Sequence, residues 1–128
     1  MVCGSRYIRG GSRIGGPLWK AVFSRWGGIM VNLLTGLPTK DATNAFKMYT
    51  REGLNRIKIQ SKGFEISLEI PLKLYFSGYK VCEIPTRWIS RKKGRSKFSF
   101  RFIISYWGWI LWGLLKRVAK VMEEKRIK

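Results

Sequence analysis

Apolar residues recur at helical spacing over 17–34, where Leu18, Val22, Phe23, Trp26, Ile29, Met30, Leu33 and Leu34 form one broad stripe. Pro17, with its fixed φ, suits the opening of this helix, and Gly36 and Pro38 stop it. Upstream, 2–7 reads as the end of a strand entering a loop, and 8–17 interleaves glycine and arginine as a flexible basic loop. Downstream, 40–49 is a polar connection. Thr50 then caps a short helix over 51–57 that Gly53 weakens. The stretch 63–78 carries two periods. Phe64, Ile66, Leu68 and Ile70 alternate like a strand, whereas Leu68, Leu72, Tyr75 and Phe76 fit a helical face. The helix is preferred, with Pro71 kinking it or marking a late start. A strand over 80–89 follows, then a basic loop, then a last helix over 99–120. The apolar part of that helix, 102–115, falls short of the roughly 20 residues that span a bilayer. Tyr106, Trp107, Trp109 and Trp112, followed by Lys116, Arg117 and Lys120, suit a helix lying in a membrane interface. Residues 123–128 read as a solvated charged tail, and no internal repeat is visible.

Charge sharpens this picture. Against 7 acidic residues the 128-residue chain sets 26 Lys and Arg, a formal charge of +19, so an anionic partner is expected: lipid, nucleic acid or a phosphorylated substrate. Six Trp, five Tyr and seven Phe beside so many cations favour a membrane interface. The absence of His removes His acid–base catalysis and His metal sites. Asp41 is the sole Asp, and no carboxylate pair has a loop context suited to a hydrated metal. Cys3 and Cys82 lack metal-ligand spacing and read as free thiols of a reducing compartment. Residues 1–16 have no apolar core of a secretory signal. The densest chemistry is Glu83-Ile84-Pro85-Thr86-Arg87-Trp88 running into Arg91-Lys92-Lys93-Gly94-Arg95-Ser96-Lys97. A strand there ends in a loop whose Arg forks, Lys point charges and Gly are suited to holding phosphate.

The motifs follow one another in a set order: Gly4-Ser5-Arg6-Tyr7, the Gly-rich basic loop, the amphipathic helix, Asp41-Ala42-Thr43-Asn44-Ala45-Phe46, Gly63-Phe64-Glu65, Gly78-Tyr79-Lys80, Glu83-Ile84-Pro85 and Arg91-x-x-Gly94-x-Ser96-Lys97. Over about residues 2–98 this set resembles the C-terminal half of family 2 glycosyltransferases, of the dolichol-phosphate mannosyltransferase and undecaprenyl-phosphate glycosyltransferase type. The resemblance implies an α/β fold: the C-terminal half of a GT-A (Rossmann-like) domain, with an incomplete sheet and amphipathic membrane-interface helices. On this reading 1–98 form the acceptor-side part of the domain, 99–122 an aromatic interfacial helix and 123–128 a charged tail.

Family members bind a nucleotide sugar through an N-terminal half whose Asp-x-Asp motif carries Mg²⁺ or Mn²⁺. The sugar then passes to a polyprenyl phosphate at the membrane. Asp41 alone cannot supply that motif, so no metal or other cofactor is expected on this chain by itself, and these residues alone are not expected to transfer sugar. A donor-binding N-terminal half and an anionic membrane surface are the implied partners, with the chain peripheral or interfacial on the cytoplasmic face.

Carried over by position, Arg6 would face the diphosphate or the acceptor phosphate, the plain alternative being a solvated loop arginine. Asp41 would be an orienting or electrostatic residue or, second, a catalytic base, with a cap or turn role as the plain alternative. Asn44-Ala45 stands where the family has Ser-Gly, which changes that turn. Arg91, Ser96 and Lys97 match a loop that closes over the donor and acceptor phosphates, the plain alternative being a juxtamembrane cluster on anionic lipid, and both can hold at once. Trp19, Trp26, Trp107, Trp109 and Trp112 are assigned to the membrane interface, and Glu69 reads as a surface carboxylate. Two other functions compete: a stand-alone basic membrane-surface module, and a nucleic-acid binder. The second is disfavoured because no RNP-like strand, zinc motif or clear helix-turn-helix is present.

Overall fold

The computed structural model describes residues 1–91, 93–94 and 101–127. The chain forms β1 (Val2–Ser5), β2 (Ser12–Ile14), α1 (Leu18–Thr35), β3 (Lys47–Met48), α2 (Arg51–Arg56), α3 (Ile66–Phe76), β4 (Cys82–Pro85), β5 (Arg87–Ile89) and α4 (Arg101–Arg126). A three-stranded sheet has the order β3-β1-β4, with β1 parallel to β4 and antiparallel to β3. A second, two-stranded ribbon pairs β2 with β5 in parallel. The expected strand over 80–89 is thus two strands in two sheets, and the expected loop over 8–17 contains one of their partners.

Thr86 is the pivot between the two ribbons. Its N–H donates to the Ser5 carbonyl at 3.0 Å, and its own carbonyl accepts from the Ser12 N–H at 3.0 Å. Ser5 and Ser12 therefore flank a single partner residue, and the intervening chain, beginning with Arg6, is thrown out as a bulge. Gly11 closes it. A Cβ there would stand 2.5 Å from the Ser5 carbonyl oxygen, so no other residue fits without moving the strand.

Local signals set the ends of α1. Pro17 is its N-cap, and Gly36, at φ 76°, closes its C-terminus by donating to the Asn32 carbonyl. Thr50 caps α2 by accepting from the Gly53 N–H at 3.2 Å. In 63–78 the helical reading holds. α3 starts before Pro71, which lies inside it among neighbours buried on every side. Burial of the whole run from Ser67 to Leu72 explains the doubled period, since a stretch of helix buried all round shows no stripe.

The core gathers Val31, Leu37, Ala42, Leu68, Leu72 and Ile110, sealed by Tyr75, Phe76, Trp109 and Trp112. α4 packs on α1 through Gly113, where a Cβ would meet Thr35 Cγ2 at 2.7 Å, and Arg117 donates to the carbonyls of Leu33 and Leu34. α4 runs through Arg126, so residues 123–126 continue a helix where a tail was expected. Among the described residues no helix is long and apolar enough to cross a membrane.

Gly28 is the contact point between α1 and the turn that carries Asp41. A Cβ there would lie 2.4 Å from the Lys40 carbonyl oxygen. Gly28→Ala is expected to cost about 1–3 kcal/mol through overpacking, despite the better helix propensity of Ala. Urea unfolding followed by circular dichroism checks this, and a variant as stable as the parent would contradict the packing.

Candidate functional site

Two residues singled out from separate motifs meet. The Asp41 carboxylate accepts from the Arg6 backbone N–H at 2.9 Å and Nε at 2.8 Å on one oxygen, and from the second guanidinium nitrogen at 2.7 Å on the other. Their side chains are 7% and 0% exposed. This is a buried bidentate pair, the geometry for which a planar guanidinium is suited. Burial works against the charge on Arg6, but the hydrogen bonds and charge of Asp41 outweigh it and hold the Arg6 pKa above its ordinary value.

The elements around the pair fix it from three sides. Ser24 on α1 accepts from Arg6 at 2.8 Å and bonds Thr43 at 2.9 Å. Thr39 accepts from the Asp41 N–H at 3.1 Å, and Glu83 on β4 holds both the Thr39 hydroxyl at 2.8 Å and the Lys40 N–H at 2.7 Å. Asn44 donates to the Gly4 carbonyl at 2.8 Å, tying the turn to β1. No described non-glycine residue has positive φ, so the turn with Asn44-Ala45 closes without a left-handed residue.

Lys47 sits against the same turn and donates to the carbonyls of Ala42 and Asn44. Burial pushes its pKa down from 10.5 to about 8, opposed by Cys3 and Asp41. The folded chain therefore releases this proton near pH 8, whereas the unfolded chain keeps it until about 10.5. Folding carries a penalty below pH 8 that fades as pH rises through this window. Stability is expected to rise by roughly 1 kcal/mol from pH 7 to 9, with this rise absent in Lys47→Met. From about pH 9 for Cys3 and about pH 10 for Tyr49, both raised by burial, these groups act in the opposite sense. Paired urea titrations of parent and variant read the difference, and parallel pH profiles would refute it.

Beside the Arg6–Asp41 pair opens a cleft of about 520 Å³ between the bulge and the start of α1. Arg6, Arg13 and Arg25 line it, together with loop glycines and, from α1, Leu18 and Val22; no carboxylate does, and Asp41 stays behind Arg6. The arginines are braced by aromatic rings. Arg13 lies 4.4 Å from the Trp88 ring centroid, and Arg6 and Arg25 lie 5.1 and 5.7 Å from that of Tyr7. Arg13 and Arg25, which form no ion pair among the described residues, beside an Arg6 already paired with Asp41, suit an anion with several acceptor oxygens, such as a phosphate.

Of the other residues singled out, Arg91 is exposed just after β5 and does not line this cleft. Ser96 and Lys97 lie outside the described residues. Trp19, Trp26 and Trp107 are exposed, at 54%, 62% and 52%. Trp109 and Trp112 depart from the expected membrane face. Trp109 Nε1 donates to Ser61 at 3.0 Å, and Trp112 packs edge-on against Phe76 of α3. Glu69 is likewise no surface carboxylate. It is fully buried, accepting from the N–H groups of Gln60 and Ser61 at 2.7 Å each and from Lys73 at 2.6 Å. Sequence reasoning passed over Ser24, Arg13 and Arg25 as site residues. The apolar stripe gave no signal for Ser24, which lies off it, on the face of α1 that buries Gly28, Val31 and Thr35.

Mg²⁺ or Mn²⁺ finds no matching ligand set here. The carboxylates of Asp41, Glu69 and Glu83 are each taken up by protein donors, and no three His, Cys, Asp or Glu side chains converge among the described residues. We therefore assign no step of the chemistry to a metal held by these residues.

No family model matches the chain. It is 28% identical over 132 aligned positions to the polyprenol monophosphomannose synthase of Mycolicibacterium smegmatis, covering 96% of this chain and 49% of that protein. It is 28% identical over 102 positions to the undecaprenyl-phosphate mannosyltransferase of Micrococcus luteus, covering 77% of this chain and 42% of that protein. To the dolichol-phosphate mannosyltransferase of Pyrococcus furiosus it is 33% identical over 107 positions, covering 80% of this chain and 29% of that protein. The chain thus spans half the length or less of these curated relatives. The mixed α/β architecture with a small, incomplete sheet agrees with a partial GT-A domain. The chain is thus homologous to the C-terminal part of these polyprenyl-phosphate enzymes, in line with the family 2 glycosyltransferase resemblance of its motifs.

Proposed function

We propose that this chain is the acceptor side of a membrane-associated glycosyltransferase that passes a sugar from a nucleotide sugar to a polyprenyl phosphate. One observation carries the reading. The arginine cleft opens beside the exposed apolar start of α1, where Leu18 and Val22 are 83% and 54% exposed. A phosphate in the cleft would leave its hydrocarbon chain on that face. The relatives' names, all of them polyprenyl-phosphate enzymes, support the same acceptor.

Arg13 and Arg25 would neutralise the acceptor phosphate, and Arg6, its own charge balanced by Asp41, would help to orient it. Such an acceptor is already anionic and needs placement more than deprotonation. Asp41 would act on Arg6, as a positioning residue. Arg91, Ser96 and Lys97 remain candidates for closing over the donor phosphates. The chain would sit peripherally on an anionic membrane at the cytoplasmic face. The donor site and its Mg²⁺ or Mn²⁺ would belong to a donor-binding half, so these 128 residues alone would not turn over.

The test is binding of farnesyl phosphate against farnesol to the purified chain in maltoside micelles. The phosphate is expected to bind at least tenfold more tightly, and Arg13→Gln with Arg25→Gln to abolish that preference. Equal binding of phosphate and alcohol would overturn the reading. It would favour instead a stand-alone membrane-surface module, which the exposed apolar residues of α1 and α4 also support. Metal-dependent sugar transfer by the 128 residues alone would overturn the proposed inactivity.

A further inference from the structure

A second hollow, of about 430 Å³, lies between the 60–65 segment and α4 and shares no lining residue with the arginine cleft. Gln60, Ser61, Glu65, Trp109 and Trp112 line it. Most of their polar atoms are engaged. Ser61 Oγ accepts from Trp109 Nε1 at 3.0 Å, and Gln60 Oε1 accepts from Lys73 Nζ at 3.3 Å. Lys73 is itself held by Glu69 at 2.6 Å.

Glu65 differs. Its Oε1 accepts from the Gly63 N–H at 3.2 Å, but its Oε2 is buried and has no hydrogen-bond partner among the described residues. Although 26 basic residues face 7 acidic ones in this chain, Glu65 forms no ion pair among the described residues. A buried carboxylate oxygen without a donor is destabilising, and a donor bearing positive charge relieves it best. The indoles beside it already attract such donors. Lys73 Nζ lies 4.9 Å from the Trp109 ring centroid, and Lys116 Nζ lies 5.6 Å from that of Trp112. The two indoles meet edge to face at 5.6 Å and 70°, so they form a corner and not a flat platform.

We propose that this hollow binds an organic ammonium group, its charge against the Glu65 carboxylate and its methylene groups against Trp109 and Trp112. A neutral sugar matches less well, because a sugar ring needs donors and acceptors together, and the acceptor that lacks a donor here is anionic. The ammonium could come from a phospholipid headgroup such as ethanolamine, since α4 also carries the exposed Ile104, Trp107, Leu111 and Leu115, or from a free amine.

The test follows the indole N–H signals of the full chain in maltoside micelles while ethanolammonium chloride is added, with sodium chloride as the ionic-strength control. Saturable shifts confined to Trp109 and Trp112 are expected. Glu65→Gln keeps the size and the acceptor for Gly63, and is expected to weaken the apparent affinity at least tenfold. Trp112→Phe is expected to weaken it several-fold with Glu65 intact, and decides the matter if Glu65→Gln alters the fold by circular dichroism. No saturable shift, unchanged affinity in both variants, or a response to methyl mannoside in place of the ammonium would each overturn the proposal. Vesicles with a constant phosphatidylglycerol fraction, balanced with phosphatidylethanolamine or a neutral glycolipid, separate the sources. Preference for phosphatidylethanolamine that Glu65→Gln removes assigns a lipid headgroup. Equal binding to both vesicles, alongside saturation by free ethanolammonium, assigns a soluble amine.

Discussion

Asp41→Ala is expected to lower the stability of the chain by about 3–5 kcal/mol, because it leaves the Arg6 guanidinium buried without its counter-charge. Both Asp41 oxygens are used by Arg6, and the pair is nearly closed to solvent. Breaking one partner strands the other, whereas removing both charges does not. The double variant Arg6→Met with Asp41→Leu is therefore expected to recover most of the lost stability. It should also lose binding of farnesyl phosphate, since Arg6 lines the cleft. Urea unfolding of the three proteins, beside the binding assay, separates the structural from the functional part of the pair. A loss below about 1 kcal/mol in Asp41→Ala would place the pair among weak surface bridges and remove the case for Asp41 as a positioning residue.

Replacing Trp19, Trp26 and Trp107 together by Ser is expected to weaken partitioning to anionic vesicles by roughly 100-fold. These exposed indoles would enter the interface, and each contributes a large apolar area. Trp109→Ser and Trp112→Ser should behave differently. Both rings pack on the core, so their loss should lower the unfolding midpoint and leave the partition coefficient of the folded chain on pure phosphatidylglycerol vesicles nearly unchanged. Sedimentation with vesicles at two salt concentrations reads the partition. Equal losses for exposed and inward tryptophans would show that α4 does not lie with Trp107 toward the lipid.

The sequence made the helices legible wherever the deciding residues lie within a turn or two of one another. Pro17 and Gly36 bound α1, and Thr50 caps α2. It misled where like residues lie close in sequence but on different faces. Along α4, the tryptophans at 107, 109 and 112 read as one aromatic group, yet Trp107 faces out while the other two face α3. Composition does not carry that division. Position around the helix does, and then only once the partner helix is known.

The ordered motifs by themselves carried the resemblance to the family, and that resemblance implied the mixed α/β class and the expectation that Arg6 faces phosphate. Tertiary structure alone decided that Arg6 answers to Asp41, thirty-five residues away, and that one strand reading splits at Thr86 between two ribbons. It also decided that Glu69 is buried and that Glu65 keeps an oxygen without a donor. A carboxylate's role depends on which donors reach it and how much water is excluded around it. Neither is set until segments far apart in sequence are packed together.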